Sequence, residues 1–172
     1  MMVLRCDLPF RQLRPHGPPL RGSAARDQQG LRRAVESIRQ IVPGRVFLAG
    51  HSYGGRQGTL LAANAPGLVD GLLLLSYPLH PPKRQDQLRT AHFPNLHTPA
   101  LFVSGTRDGF GTIEELTAAL KLIPARTQLL PIEGADHELM SKRNAAELPT
   151  AVRNAFAEMF RSAMNTADRR SR

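Results

Sequence analysis

Residues 45–58 read RVFLAGHSYGGRQG, and the fold can be inferred outward from this segment. The short apolar run Arg45 to Ala49 is typical of a buried strand, and the small residues from Gln57 to Asn64 predict a helix. Between them, the pentapeptide Gly50 to Gly54 has the form G-x-S-x-G, which predicts a tight turn with Ser52 at its apex. A Cβ on either flanking glycine would collide with the neighbouring strand or helix. The pentapeptide alone is a weak signal, and its position between a strand and a helix strengthens it.

Strands and helices alternate along the rest of the chain. Further strands are predicted at Val3–Leu8, Leu72–Leu75, Ala100–Ser104 and Thr127–Ile132. Further helices are predicted from about Asp27, from Ile113 to Ile123 and from near Glu147. Residues 9–26 and 77–98 are rich in proline and are predicted as loops. This order predicts an α/β fold, a parallel sheet with helices on both faces, as one domain over residues 1–164 with a basic tail at 165–172.

The composition of the chain limits the classes of protein to which it can belong. The chain has 172 residues, enough for one domain, and 41% hydrophobic with 22% charged residues is ordinary for a globular protein. The longest apolar run, Leu72 to Leu75, is too short to cross a membrane, and the first residues do not resemble a signal peptide. A single cysteine, Cys6, excludes an internal disulfide. We therefore predict a cytoplasmic protein with no membrane partner, and no motif indicates a metal or a cofactor.

The formal net charge of +9 raises nucleic-acid binding as an alternative. Apart from a short run at Arg169 to Arg172, the basic residues are scattered through the predicted amphipathic helices. No zinc-ligand spacing or RNA-binding signature accompanies them. The charge predicts a weak, salt-sensitive attraction to polyanions, and a specific nucleic-acid partner is not expected.

Two further residues are candidates for the base and the acid that a serine nucleophile needs. A serine hydroxyl becomes nucleophilic when a histidine takes its proton and a carboxylate orients that histidine. The strand Ala100–Ser104 leads to Asp108 in a glycine-rich turn, and the strand Thr127–Ile132 leads to His137. With Ser52, these residues follow the chain order Ser, acid, His on loops after strands. The sequence predicts Ser52 as nucleophile, Asp108 as orienting acid and His137 as base.

Neighbouring polar residues are weaker candidates. His51 adjoins Ser52, but its side chain should point away from the serine hydroxyl, which indicates an orienting or packing role. Asp136 adjoins His137 and would face the other way along an extended loop, as a supporting or surface acid.

The loop over residues 77–98 overhangs the same edge of the sheet. It contains three histidines, His80, His92 and His97. At its start, three residues are candidates to line a substrate pocket, with packing of the loop as the alternative: Tyr77, Pro78 and Leu79.

These residues give the chain a likeness to the α/β-hydrolase superfamily. It resembles the small, lidless, dienelactone-hydrolase-like branch, which includes hydrolase-like domains of a chromatin acetyltransferase complex subunit and of a testis-expressed protein. The segments that carry the resemblance are Leu4–Arg11, Gly50–Arg56, Leu74–Leu79, Gly105–Gly111 and Gly134–Leu139. The resemblance implies cleavage of an ester, thioester or related acyl bond through an acyl-enzyme on Ser52. Dienelactone hydrolases use a cysteine nucleophile, so lactone specificity is not carried over.

The chain departs from this family at its N-terminus. In the implied fold, three strands and a helix precede the strand equivalent to Val3–Leu8, and a loop among them supplies one N–H of the oxyanion hole. Either the first strand shifts inward to pair directly, or the protein begins further upstream. The doubled Met1-Met2 before a predicted core strand favours the second, and we expect a start-site truncation. The remaining donor is the backbone N–H of Tyr53, and loss of one donor lowers turnover by about 10²–10³.

The sequence thus predicts a serine hydrolase acting on a small-molecule acyl substrate. A catalytically weak or inactive α/β-hydrolase-like interaction domain is the alternative, and nucleic-acid binding is a third hypothesis. The sequence does not define the substrate or the oligomeric state.

Overall fold

The computed structural model describes residues 2–161, in which four strands form one parallel sheet. The strands are β1 Phe47–His51, β2 Gly71–Leu75, β3 Ala100–Gly105 and β4 Thr127–Ile132. Their order across the sheet is the order along the chain, and all three pairings are parallel. The carboxyl ends of all the strands therefore meet at one edge of the sheet.

Five helices and one short 3₁₀ turn connect or flank these strands within the described residues. The helices are α1 Pro9–Leu13, α2 Ala24–Ile41, α3 Tyr53–Asn64, α4 Ile113–Leu120 and α5 Leu148–Arg161, and the 3₁₀ turn is Phe93–Asn95. None of the helices in this part of the chain is long and apolar enough to span a bilayer.

The helices cover both faces of the sheet. Side chains of α2, α3 and α4 pack on one face, against strand residues that include Leu74 and Phe102. Helix α5 covers the other face, where Met159 and Phe160 belong to the same core as Leu101. Alternate strand residues thus point into two separate cores, as expected of a parallel sheet buried on both faces. The predicted α/β architecture is confirmed.

The predicted strand Val3–Leu8 is wrong. Residues 2–8 form no helix or strand, and the side chains of Val3 and Leu4 are 74% and 52% exposed. A strand needs a neighbour for its N–H and C=O groups, and the described sheet offers this segment no pairing. The predicted loop over 9–26 also contains α1, and α2 begins at Ala24, three residues before the predicted start.

Strand β1 also differs from its prediction. It runs from Phe47 to His51, later than the predicted Arg45 to Ala49. Within the described residues β1 pairs only with β2, so it is an edge strand, and Ala49 and His51 are exposed. The predicted basic tail at 165–172 lies outside the described residues.

Candidate active site

Ser52 lies in a strained turn between β1 and α3. Its φ of +50° is in the left-handed region, which non-glycine residues rarely adopt. The turn brings strand and helix backbones together, since a Cβ added at Gly50 would lie 2.5 Å from the Gly55 nitrogen. A Cβ at Gly54 would meet no atom within 4 Å. The expectation that Gly54 is needed for close packing is therefore wrong, and Gly55 is the second tightly packed glycine.

The structure brings together the three residues predicted to act as nucleophile, base and acid. The Ser52 Oγ lies 2.7 Å from His137 Nε2. On the other side of the ring, His137 Nδ1 lies 2.9 Å from Asp108 Oδ2 and 3.0 Å from Oδ1. With Nδ1 protonated toward the carboxylate, Nε2 is free to accept the serine proton. The three side chains form one continuous hydrogen-bond chain.

Asp108 is the most deeply buried member of this group. Its side chain is 1% exposed, whereas that of His137 is 18% exposed. The turn after β3 positions the carboxylate, because Oδ1 also accepts the Phe110 N–H at 2.8 Å. The turn is tied to the loop that carries His137 by the Arg107 N–H, which donates to the Ala135 carbonyl at 2.9 Å. The Phe110 N–H therefore holds the carboxylate, and the backbone bond fixes the turn that carries it to the loop of His137.

Two aromatic neighbours, which sequence reasoning did not assign to His137, hold its ring and backbone. The ring of Phe110 packs against the imidazole at an interplanar angle of 30°, with centroids 4.0 Å apart. His51 Nε2 donates to the backbone carbonyl of His137 at 2.9 Å, so the His51 side chain is directed at the loop rather than at the serine hydroxyl. Phe110 follows Asp108 by two residues, and that proximity in the sequence was the available signal.

Asp136 has a local structural contact. It is exposed, and its Oδ1 accepts the Glu138 N–H at 3.0 Å. This contact shapes the turn after β4, and Asp136 does not join the hydrogen-bond chain to Ser52.

Tyr53 starts α3, so its N–H is among the donors that have no partner inside the helix. Its hydroxyl donates to Asp27 Oδ2 at 2.8 Å. Burial and the Asp27 carboxylate raise the pKa of this hydroxyl. Asp27 is fully buried on α2 and also accepts the Phe10 N–H at 2.9 Å. The position of Asp27 four residues before Leu31, on the apolar stripe of α2, is the sequence signal for this link.

Tyr77, Pro78 and Leu79 lie in the core rather than on an open surface. Tyr77 is 2% exposed and Leu79 1% exposed. The Tyr77 ring packs near Phe93 and Phe102, and its hydroxyl donates to the Arg89 carbonyl at 2.7 Å. Burial raises the pKa of Tyr77 to about 12. Substrate contact by Tyr77, Pro78 and Leu79 stays a prediction, and their burial argues for the packing role.

The three histidines of the loop after β2 have separate environments. His80 is buried, and its Nε2 lies 3.2 Å from Glu115 Oε2. His92 Nε2 lies 2.8 Å from Thr59 Oγ1, whereas His97 is exposed. None of the three contacts Ser52, and none takes the role of the base.

The family described as "Alpha/beta hydrolase domain" matches residues 10–165. An alpha-beta serine hydrolase homologue from Coxiella burnetii has a TM-score of 0.63 at 19% identity, over 84% of this chain and 65% of that chain. Dienelactone hydrolase from Anabaena variabilis has a TM-score of 0.62 at 24% identity, over 88% and 65%. Est1E from Butyrivibrio proteoclasticus has a TM-score of 0.61 at 17% identity, over 80% and 70%.

At these identities the structural likeness shows the fold. The chain spans just under two thirds of the length of the Coxiella and Anabaena proteins. The expected relation to a chromatin complex subunit and a testis-expressed protein stays a prediction.

Proposed function

The chain belongs to the alpha/beta hydrolase domain family, and on that premise we propose that it is a serine hydrolase that cleaves an ester, thioester or related acyl bond. The observation that carries the proposal is the unbroken hydrogen-bond chain from Ser52 through His137 to Asp108. In a hydrolase this arrangement converts a weakly nucleophilic hydroxyl into an attacking group. The carboxylate is buried and the histidine is partly exposed, so the reactive end of the chain faces the accessible side.

In the first half-reaction the Ser52 Oγ attacks the substrate's carbonyl carbon. His137 Nε2 takes the hydroxyl proton as the Oγ–C bond forms, and Asp108 stabilises the resulting imidazolium. The backbone N–H of Tyr53, at the positive end of α3, is the proposed donor to the oxyanion. When the tetrahedral intermediate collapses, the bond to the leaving group breaks and His137 returns the proton to that group. The acyl group is left on Ser52.

In the second half-reaction water replaces the leaving group. His137 takes a proton from the water as its oxygen attacks the acyl carbon, and Ser52 regains the proton when the acyl bond breaks. The products are a carboxylic acid and an alcohol or thiol. No atom beyond substrate and water is consumed.

Turnover of 4-nitrophenyl esters by the purified chain tests this function. We expect Ser52→Ala to lower kcat/KM by at least about 10³-fold, because the nucleophile is removed. Ser76→Ala is the matched control. Ser76 directly follows β2 with a φ of +48°, and its buried hydroxyl makes no hydrogen bond to any of the three residues. Ester turnover that survives Ser52→Ala would rule out the proposed nucleophile.

A further inference from the structure

Arg56 is a partly buried cation with no acceptor. Its Nε atom is removed from solvent and makes no hydrogen bond. Across residues 2–161, the guanidinium makes neither a hydrogen bond nor an ion pair. Asp27, which bonds the neighbouring Tyr53 hydroxyl, already accepts two hydrogen bonds and does not pair with Arg56. A buried donor without a partner is costly. The terminal nitrogens of the guanidinium keep access to solvent, so an anion from outside this part of the chain can reach the group.

The place of Arg56 in the fold directs it to the candidate active site. It lies one helical turn after Ser52 on α3, and its N–H donates to the Ser52 carbonyl at 3.0 Å. Side chains on a helix lean toward its N-terminus. The N-terminus of α3 is at the carboxyl edge of the sheet, where Ser52 lies, so we expect the guanidinium to extend toward that edge.

Apart from the Asp27 carboxylate, which lies beyond the Tyr53 hydroxyl, the groups around Arg56 are cationic or neutral. Arg89, in the loop after β2, donates from Nη1 to the Pro78 carbonyl at 3.3 Å. Burial and the charge of Arg56 lower the pKa of Arg89, so the two guanidinium groups repel each other. Burial and the same Arg56 charge lower the pKa of His92 to about 4, which leaves that ring neutral near pH 7. The Tyr77 hydroxyl is also neutral there.

We propose that Arg56, with Arg89 beside it, binds a carboxylate on the acyl substrate whose ester carbonyl is attacked by Ser52. The inference rests on the proposed function and names its substrate class, the monoesters or thioesters of dicarboxylic acids. A guanidinium presents a planar fork of donors that matches the two oxygens of a carboxylate. Arg89 already uses one of its donors on the Pro78 carbonyl. The fork of Arg56 is the free one, and it matches a group with one negative charge. A singly charged carboxylate therefore fits better than a phosphate.

Two 4-nitrophenyl esters that differ in one terminal group test the proposal: the glutarate monoester and the pentanoate ester. We expect the wild-type chain to prefer the glutarate ester. Arg56→Gln should lower kcat/KM for that ester by about 10- to 100-fold, the range of a charged hydrogen bond, and leave the pentanoate ester within about twofold. Arg56→Lys keeps the positive charge but loses the planar fork of donors. Its kcat/KM for the glutarate ester should therefore lie between those of the wild type and Arg56→Gln. Arg153→Gln, exposed on α5 across the sheet, removes the same charge elsewhere and should change neither ester.

Direct binding separates this proposal from the proposed function. Isothermal titration of glutarate and, separately, of inorganic phosphate into the wild type and Arg56→Gln needs no turnover. Glutarate binding that is lost in Arg56→Gln would support the site even if neither ester were hydrolysed, in which case the hydrolase proposal alone would fail.

The carboxylate site would be overturned by either of two results. One is that Arg56→Gln changes kcat/KM for the two esters equally, or changes neither, while both are turned over. The other is tighter Arg56-dependent binding of phosphate than of glutarate. Circular dichroism and a thermal melt check that the variant folds, as expected for a side chain that has no acceptor.

Discussion

Strands β3 and β1 each lead to a residue of the candidate site, but they are held in different ways. All six residues of β3 are buried, and the strand pairs on both sides before the chain turns to Asp108. Strand β1 pairs on one side within the described residues, and its exposure alternates along its length. The acid is therefore anchored in the centre of the sheet and the nucleophile at its edge.

The difference shows that two kinds of packing build the site. Asp108 inherits its position from a strand that contacts both cores. Ser52 depends on the close approach of Gly50 and Gly55, which locks α3 onto the end of β1. A change in the core of β3 should act mainly on stability, and a change at the glycine contact should act on the serine itself.

The largest effect is expected at the end of β3. Asp108→Asn should lower kcat for ester hydrolysis by about 10³–10⁴-fold, because the amide cannot hold His137 in the tautomer that accepts the serine proton. The adjacent acid gives a matched control, since Asp136 is exposed and lies outside the hydrogen-bond chain. Steady-state kinetics of Asp108→Asn and Asp136→Asn measure both, and equal losses would refute the assignment of the acid.

Truncation of the two strands should separate the centre of the sheet from its edge. Phe102→Ala in β3 removes a fully buried ring and should lower the free energy of unfolding by about 3–5 kcal/mol. Leu48→Ala in β1 removes a partly buried side chain and should cost less, about 1–2 kcal/mol. Urea unfolding of both variants makes the comparison. Equal losses would mean that β1 is as well buried as β3.

Substitution by alanine should be harmful at one glycine of the turn and tolerated at another. Gly50→Ala places a Cβ against the Gly55 backbone, so it should cost about 1–3 kcal/mol of stability and lower ester turnover. Gly54→Ala meets no atom within 4 Å and should stay within about 1 kcal/mol of the wild type, since alanine favours the helix. Thermal melts and kinetics of the pair decide, and a tolerated Gly50→Ala would contradict the turn geometry.

The smallest effect concerns pH. His92 links the loop before β3 to α3 through Thr59, and its pKa is lowered from 6.5 to about 4 by burial and by Arg56. The unfolded chain therefore binds this proton at higher pH than the folded chain does. Neutral His92 makes its full contribution to the free energy of unfolding above about pH 6.5. This contribution is lost as the pH falls toward 4.

Urea unfolding between pH 7 and pH 4 measures this effect. We expect His92→Gln to show a shallower loss of stability over that interval than the wild type. His97→Gln changes an exposed histidine of the same loop and should leave the slope as it is. Parallel slopes for the wild type and His92→Gln would contradict the prediction.

Much of the site could be predicted because its signals are local. Ser52, Asp108 and His137 each follow a recognisable apolar run, and parallel strands bring their carboxyl ends to one edge. The fold class followed from the same alternation of strands and helices. The prediction that Gly54 is closely packed was wrong, because the spacing of residues in a motif does not show which glycine the neighbouring backbone approaches.

Other features depend on contacts between distant parts of the chain. Val3–Leu8 has the composition of a strand, but pairing requires a neighbour that composition does not reveal. Asp27 and Tyr53 are 26 residues apart in the sequence, and only the packing of α2 on α3 brings them into contact. The unpaired state of Arg56 depends on every side chain around it.

Covalent labelling by a fluorophosphonate tests directly whether Ser52 is an activated nucleophile. Trypsin cleavage after Arg45 and Arg56 releases a peptide whose only hydroxyl side chains belong to Ser52 and Tyr53. We expect mass spectrometry to find the phosphonyl group on this peptide, at Ser52, and Ser52→Ala to abolish the label. No label on the wild-type chain, or a label that persists in Ser52→Ala, would contradict this expectation.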